Sequence, residues 1–237
     1  MQAVNMLPRM DAVLLLWMVG CPALVALVVA GLVLLAVQVR KEERERRNRW
    51  QLWAARYGWT YAERPQVDWT DRVPGRNRRG VRFAMTGILH GRPVEVAEYA
   101  YTTSHTTTDA NGSSQTTSHT HPYVVCSVLL RRPFPQLAVV PRDLLSKLGR
   151  ALSGSYPEAI GVEAFDRQWR LVADSPAERA LVGPALVAAH LAGAAPAWSV
   201  RGTRLITYRS GQLTEPGPVR PLLDPLVAVA DLLEQGR

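Results

Sequence analysis

Few residues in this chain combine a reactive type with a useful spacing. His119 and His121 stand two apart, with His105 nearby. Alternation along a strand would put His119 and His121 on one face. A hairpin centred on Asn111-Gly112 would pair His105 with Ser118, on the other face. Two neutral imidazoles without a carboxylate or thiolate make a poor zinc site, so no metal and no cofactor is expected. The histidines read as part of a polar tip. Glu163, Asp166 and Asp174 could act as acid–base partners, but a strand edge and a helix start account for them equally well. Arg76, Arg78, Arg79 and Arg82 are the best candidates for holding an anion. As a solvated loop they need no function, and as a headgroup contact they would reinforce a basic face. Nucleic acid is the weaker partner, because its binding surfaces interleave aromatics with the cations. The chain carries no Walker loop, no G-x-G-x-x-G after a strand, no H-E-x-x-H, no C-x-x-C and no G-x-S-x-G.

The placement of charge says more than its sum. The formal charge is +8, from 28 basic and 20 acidic residues over 237 positions. Only Lys41 and Lys147 are lysine. With Ala, Val, Pro and Gly abundant, part of that excess reflects GC-rich coding. Residues 40–82 hold thirteen Arg or Lys against six acids, whereas residues 83–237 hold fourteen against thirteen. Immediately before the basic segment, residues 12–37 run for 26 positions without a charge. A bilayer core needs about 20 apolar residues, so residues 12–39 are predicted to form one spanning helix after a short tail, residues 1–11. The basic collar behind it is Arg40, Lys41, Arg44, Arg46, Arg47 and Arg49. The positive-inside rule then puts the C-terminal side in the cytoplasm of a single-pass plasma-membrane protein. Met18 to Cys21 loosely matches a lipobox, but the apolar run continues well past Cys21. Gly20, Ala23, Ala26 and Ala30 fall on one side of the helix and could pack against a second copy. Cys21 and Cys126 are the two cysteines, one in the span and one in a strand, so no disulfide is expected.

Residues 40–57 read as a charged helical stalk, with Glu42–Arg46, Glu43–Arg47 and Glu45–Arg49 spaced i,i+4. Trp50, Trp53, Ala54 and Tyr57 form an apolar stripe that would dock on the core, and Gly58 is a natural stop. Residues 58–237 then make one globular domain. Strands are predicted at 59–62, 81–89 and 93–103, the last two joined at His90-Gly91-Arg92. Residues 102–121 hold eight Thr, four Ser and three His, and read as a polar hairpin tip or a disordered loop. Further strands are expected at 123–131, 137–140 and 165–172. Residues 198–200 and 205–208 would form a hairpin around Gly202. Helices are expected at 141–152, from a Ser175 cap to about 191 with a kink at Pro184, and at 221–234. Hairpins with about three helices between and after them imply an antiparallel α+β fold.

Several short motifs also carry a resemblance. They are Arg56-Tyr57-Gly58-Trp59-Thr60-Tyr61, Gly87, Gly91-Arg92-Pro93-Val94, Tyr99 and Tyr101. Further on come Pro135-Gln136-Leu137, Glu163-Ala164-Phe165, Trp169-Arg170-Leu171-Val172, Asp174, and Leu205 onward. In these the chain resembles an uncharacterised family of membrane-anchored actinobacterial proteins, over most of residues 45–235. Asp166 stands where Asn is expected, and Trp169 where Phe is. The resemblance implies a membrane anchor with an α+β domain, and supplies neither an activity nor catalytic residues. The function expected is that of a non-catalytic, membrane-tethered interaction or scaffold domain. Its partners would be the bilayer, anionic lipid headgroups or another membrane protein. The alternatives are an enzyme acting on a membrane-associated substrate, with its site under the long hairpin, and a structural subunit of a membrane complex.

Overall fold

The computed structural model describes residues 8–109, 112–142, 156–217 and 219–236; the side chains of 8–26 and 156–158 are not among those described. Two compact units emerge, Met1–Arg49 and Trp50–Arg237. One helix, α1 (Pro8–Arg56), contributes to both. Among the described residues no helix is long and apolar enough to cross a membrane. Most of the expected span, with Gly20, Cys21, Ala23 and Ala26, lies outside the described side chains. In the described part of that segment, Leu27, Val28, Val29, Leu32, Val33, Leu34, Leu35, Val37 and Val39 are all exposed, between 52% and 74%. A run of adjacent positions covers every side of a helix, so the apolar surface here has no polar face.

In the second unit, α1 ends as its sequence directs. Gly58 takes φ +70, Trp59 N donates to Ala54 O, and Gly58 N to Ala55 O, which together form a Schellman closure. Trp50 and Ala54 are buried, and the Trp50 ring lies 5.6 Å from Phe83. The aromatic stripe therefore docks on the core, although Tyr57 stays exposed.

Among the described residues seven strands form one antiparallel sheet: β1 (Thr60–Glu63), β2 (Val81–Leu89), β3 (Arg92–Thr108), β4 (Ser114–Pro141), β5 (Tyr156–Glu158), β6 (Trp169–Ala173) and β7 (Trp198–Ser210). Their order is β1-β2-β3-β4-β6-β5, with β7 also on β4. Among the described residues there are, besides α1, four α-helices: α2 (Glu163–Gln168), α3 (Pro176–Arg179), α4 (Pro184–Leu191) and α5 (Val219–Gln235). The α+β reading stands, with an antiparallel sheet and helices between and after its strands. His90 and Gly91, at φ +50 and +73, make the tight β2–β3 turn that the sequence marks. Ser175 caps α3 in a reciprocal box with Glu178, and Gly183-Pro184 breaks the chain into α3 and α4 instead of kinking one helix.

Several boundaries differ from expectation. Residues 165–172 are not one strand, because Asp166 accepts from Ile160 N and Gly161 N and fixes a helical turn, α2, before β6. The expected strands at 123–131 and 137–140 are parts of one 28-residue strand, β4. The expected hairpin around Gly202 is likewise a single strand, β7. Gly202, at φ +61, opposes Phe134 where the β4–β7 register shifts, so it serves a bulge and not a turn. Of the helix expected at 141–152, Pro141 belongs to β4 and residues 143–152 lie outside the described ones.

The two faces of the sheet are covered differently. On one, Phe83, Met85, Val96, Val128, Leu205 and their neighbours pack with Trp50, α4 and α5 into the main core. On the other, Trp69, Val73, Ala97, Tyr99, Val125 and Ile206 form a second cluster under the loop 64–80.

Candidate functional site

The loop 64–80 is pinned to the sheet from end to end. Trp69 is fully buried and donates its indole N–H to Glu95 at 2.6 Å. Burial raises the Glu95 carboxyl, opposed by that N–H and by Arg204. Asp68 pairs with Arg204 at 2.9 Å and Asp71 with Arg201 at 2.8 Å. The buried Arg72 donates to Arg204 O at 3.0 Å, and desolvation, joined by the nearby Arg201, pushes its guanidinium down to about 10. Pro74 O accepts from Tyr99 Oη, which itself accepts from Asn77 N. Ala100 N donates to Gly80 O at 2.8 Å. A Cβ on Gly80 would lie 2.3 Å from Ala100 O, and one on Gly75 would lie 2.2 Å from the Tyr101 ring. The loop can close this tightly on β3 only with glycine at both positions.

Outside this anchored loop lies a solvent-open cleft of about 1010 Å³. Arg64, Arg78, Arg79 and Arg82 line it, together with Asn77, Asp68, Asp71 and the hydroxyl-bearing Thr102 and Thr120. Three of the four arginines singled out by sequence thus share one cleft, while Arg76 is exposed but not part of its lining. Arg64 joins them unforeseen. It sits just past β1 at φ +47, with its N–H on Arg82 O at 3.1 Å. Nothing in its local sequence marks it, because β1–β2 pairing brings it there. Arg82 pairs with the buried Glu98 at 3.2 Å, and Glu98 also accepts from Leu213 N.

The collar residues lie on α1 in the first unit. Arg40, Lys41, Arg44 and Arg49 are exposed, and Arg46 and Arg47 are half-buried. Lys41 pairs with Glu45 at 3.9 Å, both open to solvent. Ala30 is exposed.

Residues 102–121 form an ordered two-stranded ribbon, apart from Ala110 and Asn111, which are not described. Its register is one residue away from expectation. Thr103 faces His119 and His105 faces Thr117, not Ser118. The loop is longer than an Asn-Gly pair. Asp109 N donates to Ser113 O, Gly112 N to Asp109 O, and Gly112 takes φ +79, so the closing pair is Asp109 and Ser113. The slip moves every partner. His105, His119 and His121 therefore share one face. His121 is held by Thr103 Oγ1 at 3.0 Å and stacks on Tyr101 at 4.8 Å. Among the described residues no group of His, Cys, Asp or Glu could hold a metal ion. The opposite face carries a ladder of hydroxyl pairs: Thr102 with Thr120, Ser104 with Ser118, Thr106 with Thr116, and Thr108 with Ser114, at 2.9 to 3.2 Å.

The three acids do not converge into a catalytic set. Asp166 is occupied by backbone N–H groups, Glu163 is exposed beside Arg167, and Asp174 N donates to Glu178 at the α3 cap. Two buried polar networks escaped sequence reading. Arg92, at 3% exposure, pairs with Asp231 and Glu234 at 2.6 Å each, and Glu234 also accepts from Arg131 N. Burial would raise the Glu234 carboxyl, but these donors outweigh it and hold it below the usual range. His190, at 1% exposure, accepts from Trp198 Nε1 at 2.9 Å between the rings of Phe165 and Trp169. Partners more than a hundred residues apart leave no local signature for the first network. An i,i+8 pair between a helix and a strand leaves none for the second.

No family model matches the chain, and no curated protein is detectably similar to it. Among solved structures, it is similar to the crystal structure of the mycobacterial trehalose monomycolate transport factor A, TtfA, at 13% identity and a TM-score of 0.48, over 80% of this chain and 92% of that one.

Proposed function

We propose that this is a single-pass, membrane-tethered interaction domain of the kind found in the actinobacterial family it resembles, with its globular part in the cytoplasm. The observation that carries this is the exposed aliphatic surface of α1 over residues 27–39, continuous in sequence with the uncharged run before it and ended by the basic collar. A helix apolar on all sides is unfavourable in water and belongs in a core or a bilayer. Here each Leu or Val taken out of water is worth about 2 kcal/mol. The collar, Arg40, Lys41, Arg44, Arg46, Arg47 and Arg49, contacts anionic headgroups at about 1 kcal/mol per residue. Arg76, Arg78, Arg79 and Arg82 extend the basic character into the domain. The open cleft presents cations and hydroxyls, and its two acids are tied up by Arg204 and Arg201. That chemistry suits holding an anion better than shuttling a proton.

Sedimentation with vesicles tests this reading. A fragment spanning residues 40–237 is expected to pellet with phosphatidylglycerol vesicles at low salt, to stay in solution with phosphatidylcholine vesicles, and to be released by raised salt, since exposed charges are screened within about 10 Å at 0.1 M. Failure to pellet with vesicles of either charge would remove the lipid contact.

A further inference from the structure

We infer that the cleft lined by Arg64, Arg78, Arg79 and Arg82 is a discrete, saturable site for a phosphate-bearing ligand. For Arg78, Arg79 and Arg82 this rests on the basic-face reading above; it requires neither the membrane tether nor any lipid contact by the collar.

Four observations converge. The first is charge balance. Asp68, Asp71 and Arg82 are each engaged in an ion pair within the domain, whereas the exposed guanidiniums of Arg64, Arg78 and Arg79 have no carboxylate partner among the described residues. Three cations concentrated in one concavity focus field where a solvated loop would disperse it. The second is preorganisation. Asn77 takes its backbone N–H to Tyr99 Oη at 2.8 Å, gives its side-chain amide to Ala100 O at 3.4 Å, and accepts Arg79 N on Oδ1 at 3.0 Å. The backbone carrying Arg78 and Arg79 is therefore fixed to β3 before any ligand arrives, which lowers the cost of ordering it on binding.

The third is strain. Arg64 holds a left-handed conformation, φ +47, that a non-glycine residue adopts at a cost of about 1 kcal/mol or more. The hydrogen bond to Arg82 O keeps it there and brings two arginines side by side in the cleft wall. The fourth is ligand chemistry. Planar guanidiniums match phosphate oxygens through paired N–H bonds, and the Thr102–Thr120 hydroxyl pair in the lining keeps one O–H free to donate. At about 1010 Å³ the space exceeds a bare phosphate and suits a phosphorylated headgroup or a soluble phosphate compound.

Calorimetric titration of the full chain in dodecylmaltoside micelles decides the matter. Inorganic pyrophosphate and dihexanoyl phosphatidate serve as probes, with dihexanoyl phosphatidylcholine as control. Saturable binding of at least one phosphate probe is expected, and not of the control. Phosphatidate alone assigns a lipid headgroup, pyrophosphate alone a soluble ligand, and both the phosphate itself. Affinity should fall about tenfold or more in Arg78→Gln/Arg79→Gln, and again in Arg64→Gln, which changes a different element. It should stay within about twofold in Arg167→Gln/Arg220→Gln, which removes two exposed charges away from the cleft. Absence of saturable binding by both probes would overturn the site. So would equal affinity in parent and cleft variants, or a loss in Arg167→Gln/Arg220→Gln as large as in the cleft variants.

Discussion

His190 shows how a buried ionisable group leaves a measurable trace. Its imidazole takes the Trp198 N–H while Phe165, Trp169 and Trp198 surround it, and burial pushes its pKa down to about 4 from 6.5. The unfolded chain therefore takes up a proton before the folded one does. The stability tied to this group is complete above pH 6.5 and is lost as pH falls toward 4, by about 3 kcal/mol in all. Glu95, raised by burial, works in the opposite sense over part of that range, and Glu234 adds its own loss only below 4.5. The comparison that isolates His190 is thus parent against His190→Phe. In denaturant titrations of the detergent-solubilised chain, the parent should lose stability between pH 6.5 and 4.5 by about 2 kcal/mol more than the variant. Parallel pH curves would contradict the assignment. Nothing in the sequence around His190 announces this role. The three histidines that did attract notice lie on an exposed ribbon, where only His121 has a ring partner among the described residues.

The elements were legible wherever a local rule had no competitor. The His90-Gly91 turn, the Gly58 stop and the Ser175 cap each appear where their residue types require them. The misreadings share a physical cause. Gly202 and the Asn111-Gly112 pair were both read as tight turns, yet glycine's left-handed freedom serves bulges and longer loops as readily. The pairing partner decides which one forms, and it lies outside the local window. The cleft was half legible for the same reason: Arg78, Arg79 and Arg82 are neighbours in sequence, whereas Arg64, Thr102 and Thr120 arrive through strand pairing. Glycine also has two separable roles, one within β2 and one in the turn after it. At Gly91, φ is +73 and the space beyond is open, while at Gly87 an added Cβ would lie 2.4 Å from the Trp59 ring. Gly91→Ala should cost about 1 kcal/mol through backbone strain alone. Gly87→Ala should cost about 2 kcal/mol through overpacking. Replacing Trp59 by Leu should relieve the second cost and leave the first unchanged, a coupling that a double-mutant cycle reads directly. Equal costs in both backgrounds would show that Trp59 does not occupy the space over Gly87.

At the scale of the molecule, two kinds of surface need a partner. Residues 27–39 of α1 expose aliphatic side chains that water does not favour, and the collar after them opens the segment 40–82, where almost all of the chain's excess positive charge lies. A bilayer with an anionic inner leaflet satisfies both at once. The domain beyond is built around one long strand, β4, flanked by β3 and β7. Its arginine cleft stands on a loop locked to the sheet by Trp69, Arg72 and Tyr99. Composition and charge placement are what point to the proposed tether, since most of the expected span lies outside the described side chains. The charge balance of the cleft depends on the fold, because its acidic neighbours Asp68 and Asp71 are matched with Arg204 and Arg201 through tertiary contacts.

Topology mapping with paired reporters fused after Arg237 tests this arrangement most directly. A reporter that fluoresces only in the cytosol should be bright, and alkaline phosphatase, active only outside it, should be silent. Moving the collar's charge by replacing Arg40, Lys41, Arg44, Arg46, Arg47 and Arg49 with Gln should weaken that bias. A dark cytosolic reporter together with an active phosphatase in the unaltered chain would contradict the account.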